Sequence, residues 1–456
     1  MSDSVLDAVV VGGGIAGLAA AYELRRRGVL LRLVEATPRL GGVIVTERVD
    51  GWVIDGGPDA LLVHKPAAVD LCRELGLGDR LVSTLQPRTA YVLRDGRLYP
   101  IAEGSFLGFP VSFTALAASS LFSWRGKLRM ACEIAIPRGR TDDESIAAFV
   151  RRRFGEEAAD YLAEPLLAGI HAGDAERLSL AALFPQLRDA ERRTGSVLRS
   201  LRALRVRPSA RGAFVSLPGG IGELVDALAG AIGADSLRVA TRVTGVRREG
   251  TFTIETESDA LVSRTVIVAV PAGAASAMLR RVDRALAQAC DSVPYASTAT
   301  VALAYRRDQV GHPLNGTGFV VPRVEQSPLL AATWVSSKWP GRAPDGHVLL
   351  RGFLGGGRDP RRLEQSDDEL VALAQEALSD VLDIQGGPLF TRLFRFSRQS
   401  PQYEVGHLRR VAAIEERLAS IPGLFLTGSG FRAIGVPDCI ADGRATAARA
   451  AEWLRP

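Results

Sequence analysis

One stretch constrains the fold more than any other: residues 7–36, DAVVVGGGIAGLAAAYELRRRGVLLRLVEA. The apolar run 8–11 reads as a buried parallel strand. Gly12, Gly13, Gly14, Ile15, Ala16 and Gly17 follow as G-x-G-x-x-G, and residues 18–27 have the Ala, Leu, Glu and Arg content of a helix that Gly28 can end. Residues 30–34 form a second apolar run, closed by Glu35 and Ala36. Gly12 permits the tight turn, Gly14 lets the backbone approach a pyrophosphate, and Gly17 allows close helix–strand packing. The free N–H groups and dipole at the helix start favour phosphate. Glu35 stands roughly twenty residues on, where an acid accepts from ribose hydroxyls, and its charge would repel the 2′-phosphate of NADP. The glycine pattern alone is weak. Strand, glycines, helix, strand and acid in register point to adenine-dinucleotide binding rather than to a glycine-rich turn in some other α/β protein.

At 456 residues the chain has room for two or three domains, and 47% hydrophobic with 23% charged residues is ordinary for a globular protein. The net charge of +5 is spread along the chain, which argues against nucleic acid as a partner. Lys65, Lys127 and Lys338 are the lysines; the other basic residues are arginines. Cys72, Cys132, Cys290 and Cys439 form no C-x-x-C pair, consistent with buried thiols in a reducing, cytoplasmic setting. The five histidines lack metal-ligand spacing, so no metal is expected. The opening residues run straight into the first strand, so no signal peptide is expected.

Two further glycine loops follow. Residues 38–42 end in Gly41 and Gly42 before Val43, and residues 55–60 carry Gly57, Pro58, Asp59 and Ala60. Each suits either backbone lying against a cofactor or ordinary turn chemistry. Tyr91 to Leu98 reads as a strand. Residues 104–124 carry no charge and reach roughly the ~20 residues of a membrane span. Gly108, Pro110 and the serines argue instead for a buried loop and helix, or for a face on a membrane or apolar channel.

Residues 141–204 read as helical, with Thr141 to Glu144 as a capping box. Arg188, Arg192, Arg193, Arg199, Arg202, Arg205, Arg207 and Arg211 form a basic stretch, read as a solvated face or a docking surface for acidic lipid or a partner. Strands resume over 239–270 and 295–354, residues 367–382 make an amphipathic helix, and 390–396 make a strand. The chain closes with strand 424–426, glycines at 428 and 430, and a helix over 441–454. That last unit brings a second helix start towards the same ligand. No second G-x-G-x-x-G occurs, which disfavours a two-dinucleotide reductase.

With these residues in hand, the chain resembles the flavin-dependent porphyrinogen oxidases, protoporphyrinogen oxidase and coproporphyrinogen III oxidase, within the amine-oxidase-like flavoprotein superfamily. The resemblance rests on the opening fingerprint, the 38–42 glycine pair, Gly57-Pro58-Asp59, the 217–224 loop and helix, and Gly-Val-Pro-Asp-Cys-Ile at 435–440. Glu164-Pro165-Leu166-Leu167 through Asp174, and Pro401-Gln402-Tyr403 with Gly406-His407, extend it nearly end to end. It implies non-covalent FAD. Gly12 to Gly17 and Glu35 with Ala36 would take pyrophosphate and ribose. Gly42, Val43 and Gly57 to Ala60 would approach from the second loop, Val243 would meet the adenine, and Ala433, Ile434 and Gly435 would lie by the isoalloxazine.

The resemblance also implies a porphyrinogen substrate and oxygen as acceptor, with no catalytic side chain required. Lys65, and residues 91–100 with 108–110, are closer to the coproporphyrinogen group. Protoporphyrinogen oxidases often carry arginine where Ala90 stands. Lys65 and Arg88 are the candidate propionate anchors. The chain departs from the family pattern at His171 (usually tyrosine), Ala433 (commonly glycine) and Phe396 (tryptophan in some members).

The rival readings are protoporphyrinogen oxidation, an amine oxidase or carotenoid desaturase, and a non-catalytic FAD-binding partner protein. Typical amine oxidases carry an acid after the last strand's glycine, where this chain has Ser429 after Gly428. The expected fold class is α/β: a Rossmann-type FAD-binding domain from 1–85, 211–285 and 396–456, a helical insertion over 104–210 that is internal or membrane-facing, and a mixed-sheet substrate domain from 86–103 and 286–395. Monomer and homodimer both remain open.

Overall fold

The computed structural model describes residues 5–102, 105, 108–109, 113–203 and 212–455. Parts of the uncharged run (104, 106–107 and 110–112) and Arg205, Arg207 and Arg211 lie outside the described residues.

The first sheet is organised around strand Leu6–Val11, which pairs in parallel with Leu31–Val34 on one side and Ala260–Val268 on the other. Leu237–Arg238 extends the parallel set beyond Leu31–Val34, and Leu424–Leu426 pairs in parallel with Ala260–Val268. A hairpin, Val243–Glu249 and Thr251–Thr256, completes it antiparallel. Side chains alternate across the pleat. Ala8, Val10, Leu31, Leu33 and Ile267 face helices Ile15–Arg26, Gly222–Ile232 and Val436–Leu454. Val9, Val11, Val266 and Val268 face the opposite core with Ala275, Leu279 and Leu286. A sheet covered on both faces explains the unbroken AVVV run, since neither side can be polar.

The second sheet runs in the order Phe390–Pro401, Tyr295–Arg306, His347–Gly355, Leu329–Trp334, Gly318–Val320, Ala90–Arg94 and Arg97–Pro100. Helix Asp367–Leu382 covers one face through Ala374, Leu378 and Leu382. The single strand expected over 91–98 is a hairpin: Asp95 and Gly96 both take positive φ, the backbone of a tight two-residue turn. The strand expected to stop at Phe396 continues to Pro401.

A third body is helical and has its own core, in which Phe109, Phe149, Phe154, Leu162, Leu180 and Leu198 are buried together. The stretch read as helical from 141 onward folds as a series of short helices, among them Ile146–Phe154, Ala159–Ala168, Pro185–Thr194 and Val197–Ala203. The expected capping box at Thr141 is also displaced. The helix begins at Ile146, and Ser145 is its cap, accepting from the Ala148 N–H at 3.1 Å. Asp143 serves elsewhere, accepting from Ser179 Oγ at 2.6 Å and from the Gly406 N–H at 3.0 Å. Ser145→Ala therefore costs about 1 kcal/mol, to be read from thermal or chemical denaturation, whereas Thr141→Ala costs nothing measurable.

Pro165 sits inside the wide-turned helix Ala159–Ala168, where a π-type turn accommodates its missing N–H. From that helix Glu164 reaches the second sheet, pairing with Arg358 at 2.9 Å and accepting from the Arg323 N–H at 2.9 Å. No helix among the described residues is long and apolar enough to cross a membrane.

Candidate flavin and substrate site

The first strand delivers the glycine loop to the head of the first helix. Gly12 has φ of +110°, and a Cβ there would lie 2.6 Å from the Ala269 carbonyl oxygen. A Cβ on Gly17 would lie 1.9 Å from the Gly12 carbonyl oxygen, so only glycine lets the helix close on the strand. Gly14 is different: a Cβ there would meet nothing within 4 Å. Its lack of a side chain serves no contact within the protein and leaves open space beside the helix start. That start, with Gly14 as N-cap, has no side-chain cap and no acidic residue in its first turn. Backbone N–H groups left without a cap in front of an open space form an anion site.

The second helix start is close by. Gly443 packs its backbone against Ala16, where a Cβ would come within 2.3 Å of the Ala16 carbonyl oxygen, and Gly428 faces the Ala16 side chain. The last helix begins at Val436, earlier than the expected 441, because Pro437 is accommodated in its first turn. Gly435 is its N-cap, again without a side-chain cap. Asp442 fastens the preceding loop, accepting from Thr427 Oγ1 at 2.6 Å and the Gly428 N–H at 3.2 Å.

Glu35 stands at the end of the second strand, where its carboxylate accepts from the Gly13 N–H at 2.7 Å and from Thr37 at 2.8 Å. Its own carbonyl accepts from the Thr241 N–H, which brings the strand beginning at Val243 alongside it. Glu35 and Ala36 are half-buried, and Val243 is buried. The 38–42 loop folds back over the glycine loop: the Gly41 N–H donates to the Gly13 carbonyl at 2.8 Å, and a Cβ on Gly42 would lie 3.2 Å from Gly14 Cα. Gly57 is pressed against Val43, whose carbonyl oxygen a Cβ would meet at 1.9 Å. Thus Gly12 to Gly17, Glu35 and Ala36 follow the carboxyl ends of two interior strands of the first sheet, with Gly42 against Gly14, Gly57 against Val43 and Val243 in the adjoining core.

Asp59 is tied into a junction between the two sheets. Its carboxylate receives Lys338 Nζ at 3.0 Å, Trp339 Nε1 at 3.1 Å and Arg351 at 3.3 Å. Burial works against the carboxylate, but the two cations and the indole N–H outweigh it and hold the Asp59 pKa well below the usual carboxylate range. Nearby Asp55 pairs with Arg342 at 2.9 Å and accepts from Thr46 and the Ile221 N–H; there burial wins, and the pKa is raised. Arg351 also donates to the carbonyls of Asp55 and Gly57, so a second-sheet strand clamps the whole loop, with Pro58 and Ala60 half-buried on it. None of these basic partners was legible as a site residue in the sequence, because they come from positions nearly 300 residues away.

Ala433 is buried, its carbonyl accepting from Cys439 Sγ at 3.0 Å, with Ile434 and Gly435 half-buried beside it. Burial pushes Cys439 and Tyr295 each up to about 12 and raises Tyr403 further still, so this side of the site holds neutral thiol and phenol groups at physiological pH.

Lys65 and Arg88 follow the two outer strands of one small sheet, in which Phe214–Ser216 pairs with Leu61–Leu62 and Val82–Ser83. The Val63 N–H donates to the Ala213 carbonyl, and Gly212 packs on the Arg88 guanidinium. Arg88 Nε also donates to the Thr84 carbonyl at 3.2 Å. Lys65 is bound to Asp438 Oδ2 at 2.6 Å, a partner that no spacing in the sequence signals across so long a separation. Burial lowers the His171 pKa to about 4, with Lys65 adding to the shift and Asp438 opposing it.

Among known proteins, the profile described as flavin containing amine oxidoreductase matches residues 15–451. The chain belongs to this flavin-dependent family. Relatives of this chain include porphyrinogen oxidases. The coproporphyrinogen III oxidase of Bacillus subtilis (strain 168) is 36% identical over all of both chains. That of Propionibacterium freudenreichii subsp. freudenreichii is 33% identical, over 96% of this chain and 89% of the relative. A solved structure from Exiguobacterium sp. 255-15, named "putative protoporphyrinogen oxidase", superposes with a TM-score of 0.88 at 31% identity, over 98% of this chain and 99% of that one. This flavin-dependent oxidoreductase thus combines the α/β fold expected from its sequence with an anion cradle that fits a dinucleotide's phosphates.

Proposed function

We propose that the protein oxidises coproporphyrinogen III to coproporphyrin III in haem biosynthesis, in the cytoplasm, using non-covalently held FAD and oxygen. The observation that carries this reading is the full-length similarity to coproporphyrinogen III oxidases, with every part of the dinucleotide cradle present in this chain. The division into an FAD-binding part (1–85, 211–285, 396–456), a helical insertion (104–210) and a substrate-binding part (86–103, 286–395) belongs to the same proposal.

The residues divide the work. The uncapped first helix, opened by Gly14, takes the pyrophosphate, and Glu35 has carboxylate lone pairs left for ribose hydroxyls. Val243 bounds the adenine, Val43 and Gly57 to Ala60 approach from the second loop, and Ala433 to Gly435 back the ring. When bound, FAD supplies the electron sink for three two-electron oxidations, with oxygen as the final acceptor. The protein orients the macrocycle and keeps the site uncharged around Cys439, Tyr295 and Tyr403, while Lys65 and Arg88 hold propionates. Protons leave the ring as it tautomerises, so no acid or base on the chain has to titrate.

A fluorescence assay offering each porphyrinogen in turn tests the reading. We expect kcat/KM for coproporphyrinogen III to exceed that for protoporphyrinogen IX by at least about tenfold, with close to three peroxides released per porphyrin. The reverse preference would assign the protein to protoporphyrinogen, a second reading favoured by the name of the Exiguobacterium structure. Lys65→Ala should raise KM for the tetracarboxylate about tenfold, the loss of one charge-assisted contact. An unchanged KM removes Lys65 from substrate binding.

A further inference from the structure

Two opposite charges from separate segments meet beside the proposed flavin-ring segment, and a histidine of a third segment feels both. Lys65 precedes the helix Pro66–Glu74, Asp438 lies in the first turn of the last helix, and His171 ends the turn Gly169–His171 of the helical body. Lys65 Nζ and Asp438 Oδ2 are 2.6 Å apart. The same Oδ2 lies over Gly435, where a Cβ would come within 3.2 Å of it. One carboxylate therefore spans from the Ala433–Gly435 segment to the lysine. His171 is half-buried. Its ring faces Phe184 at 5.8 Å, and Gln402 donates to its carbonyl at 3.3 Å. Lys65 and Asp438 are the charges that act on the imidazole.

We propose that Asp438 is a positioning residue that sets where Lys65 presents its ammonium to a substrate carboxylate. This rests on Lys65 acting as a propionate anchor. An unrestrained lysine stem loses rotamer freedom when it binds. The contact with Asp438 removes that loss in advance and still leaves two of the three ammonium donors for substrate. A neutral His171 beside the pair adds no competing positive charge. Asp438 touches the lysine rather than the reacting carbons, so its effect falls on substrate affinity and not on the oxidation step.

Steady-state kinetics of the FAD-loaded enzyme with coproporphyrinogen III, on Asp438→Asn, Asp438→Glu and Lys65→Met, tests this. Asp438→Asn should raise KM about fivefold with kcat within about twofold of the parent, and Asp438→Glu should recover most of the loss. A parent-like KM in Asp438→Asn, alongside a raised KM in Lys65→Met, overturns the positioning role and leaves Lys65 as an anchor. A parent-like KM in Lys65→Met overturns both. A second measurement does not depend on how Asp438→Asn folds: histidine NMR of Lys65→Met should show the His171 pKa rising from about 4. No movement there means the Lys65 ammonium does not stand where the Asp438 contact places it, and the proposal fails.

Discussion

Gly14→Val yields a folded protein that purifies without its yellow cofactor. The Gly14 backbone has φ of −69° and ψ of 173°, which any residue adopts, and a Cβ there meets no protein atom within 4 Å. No protein atom meets the new Cβ, so the melting temperature of the flavin-free protein should stay close to that of the flavin-free parent. The branched side chain instead fills the space in front of the uncapped helix start. Flavin affinity should fall on the order of a hundredfold, ~2.7 kcal/mol, measured by fluorescence quenching on titration with FAD. Gly17→Ala is the contrasting variant. Its methyl would collide with the Gly12 carbonyl, so it should lower stability and flavin binding together. If Gly14→Val retains flavin at the parent's affinity, the phosphates lie elsewhere.

Asp59→Ala should be the most destabilising single change at the junction of the two sheets. It leaves Lys338 and Arg351, 14% and 3% exposed, without their shared carboxylate, and strips Trp339 Nε1 of its acceptor. Removing one partner from a buried ionic cluster costs about 3–5 kcal/mol, which denaturant unfolding measures. The pH dependence follows from the sign of the shift. Asp59 titrates lower in the folded protein than in the unfolded chain. Its stabilisation is therefore complete above the ordinary carboxylate range, near pH 4, and fades as pH falls below it. Asp59→Asn should flatten that acid limb while lowering stability near neutrality. An unaltered acid limb would show that the cluster does not form. The flavin should also bind more weakly in Asp59→Ala, because Arg351 clamps the same loop through the Asp55 and Gly57 carbonyls.

The legible parts share a property: their physics is local. The glycine loop could be read because each glycine answers a steric demand within a few residues, and the structure meets the demand at Gly12 and Gly17 with carbonyl oxygens close to where a Cβ would be. The hairpin at Asp95–Gly96 is equally local: an Asp-Gly pair between Leu93 and Leu98 is a turn signal that the single-strand reading leaves unused. The Thr141 capping box failed for the opposite reason. Its pattern was correct, but tertiary contacts gave Asp143 to Ser179 and Gly406, and the helix began at Ser145 instead. The early start of the last helix was available in Pro437, a residue that suits a first turn.

By itself the sequence determined the first α/β unit, with its buried strand and its glycine turn at the head of the first helix, because apolar patterning and glycine sterics act over a few residues. Tertiary structure alone decided the partners of the buried charges. Asp59 meets Lys338 and Arg351, and Lys65 meets Asp438, across nearly 280 to 373 residues of chain. The reason is electrostatic. A charge taken out of water must find its counter-charge in space, and no periodicity along the chain records which segment will bring it.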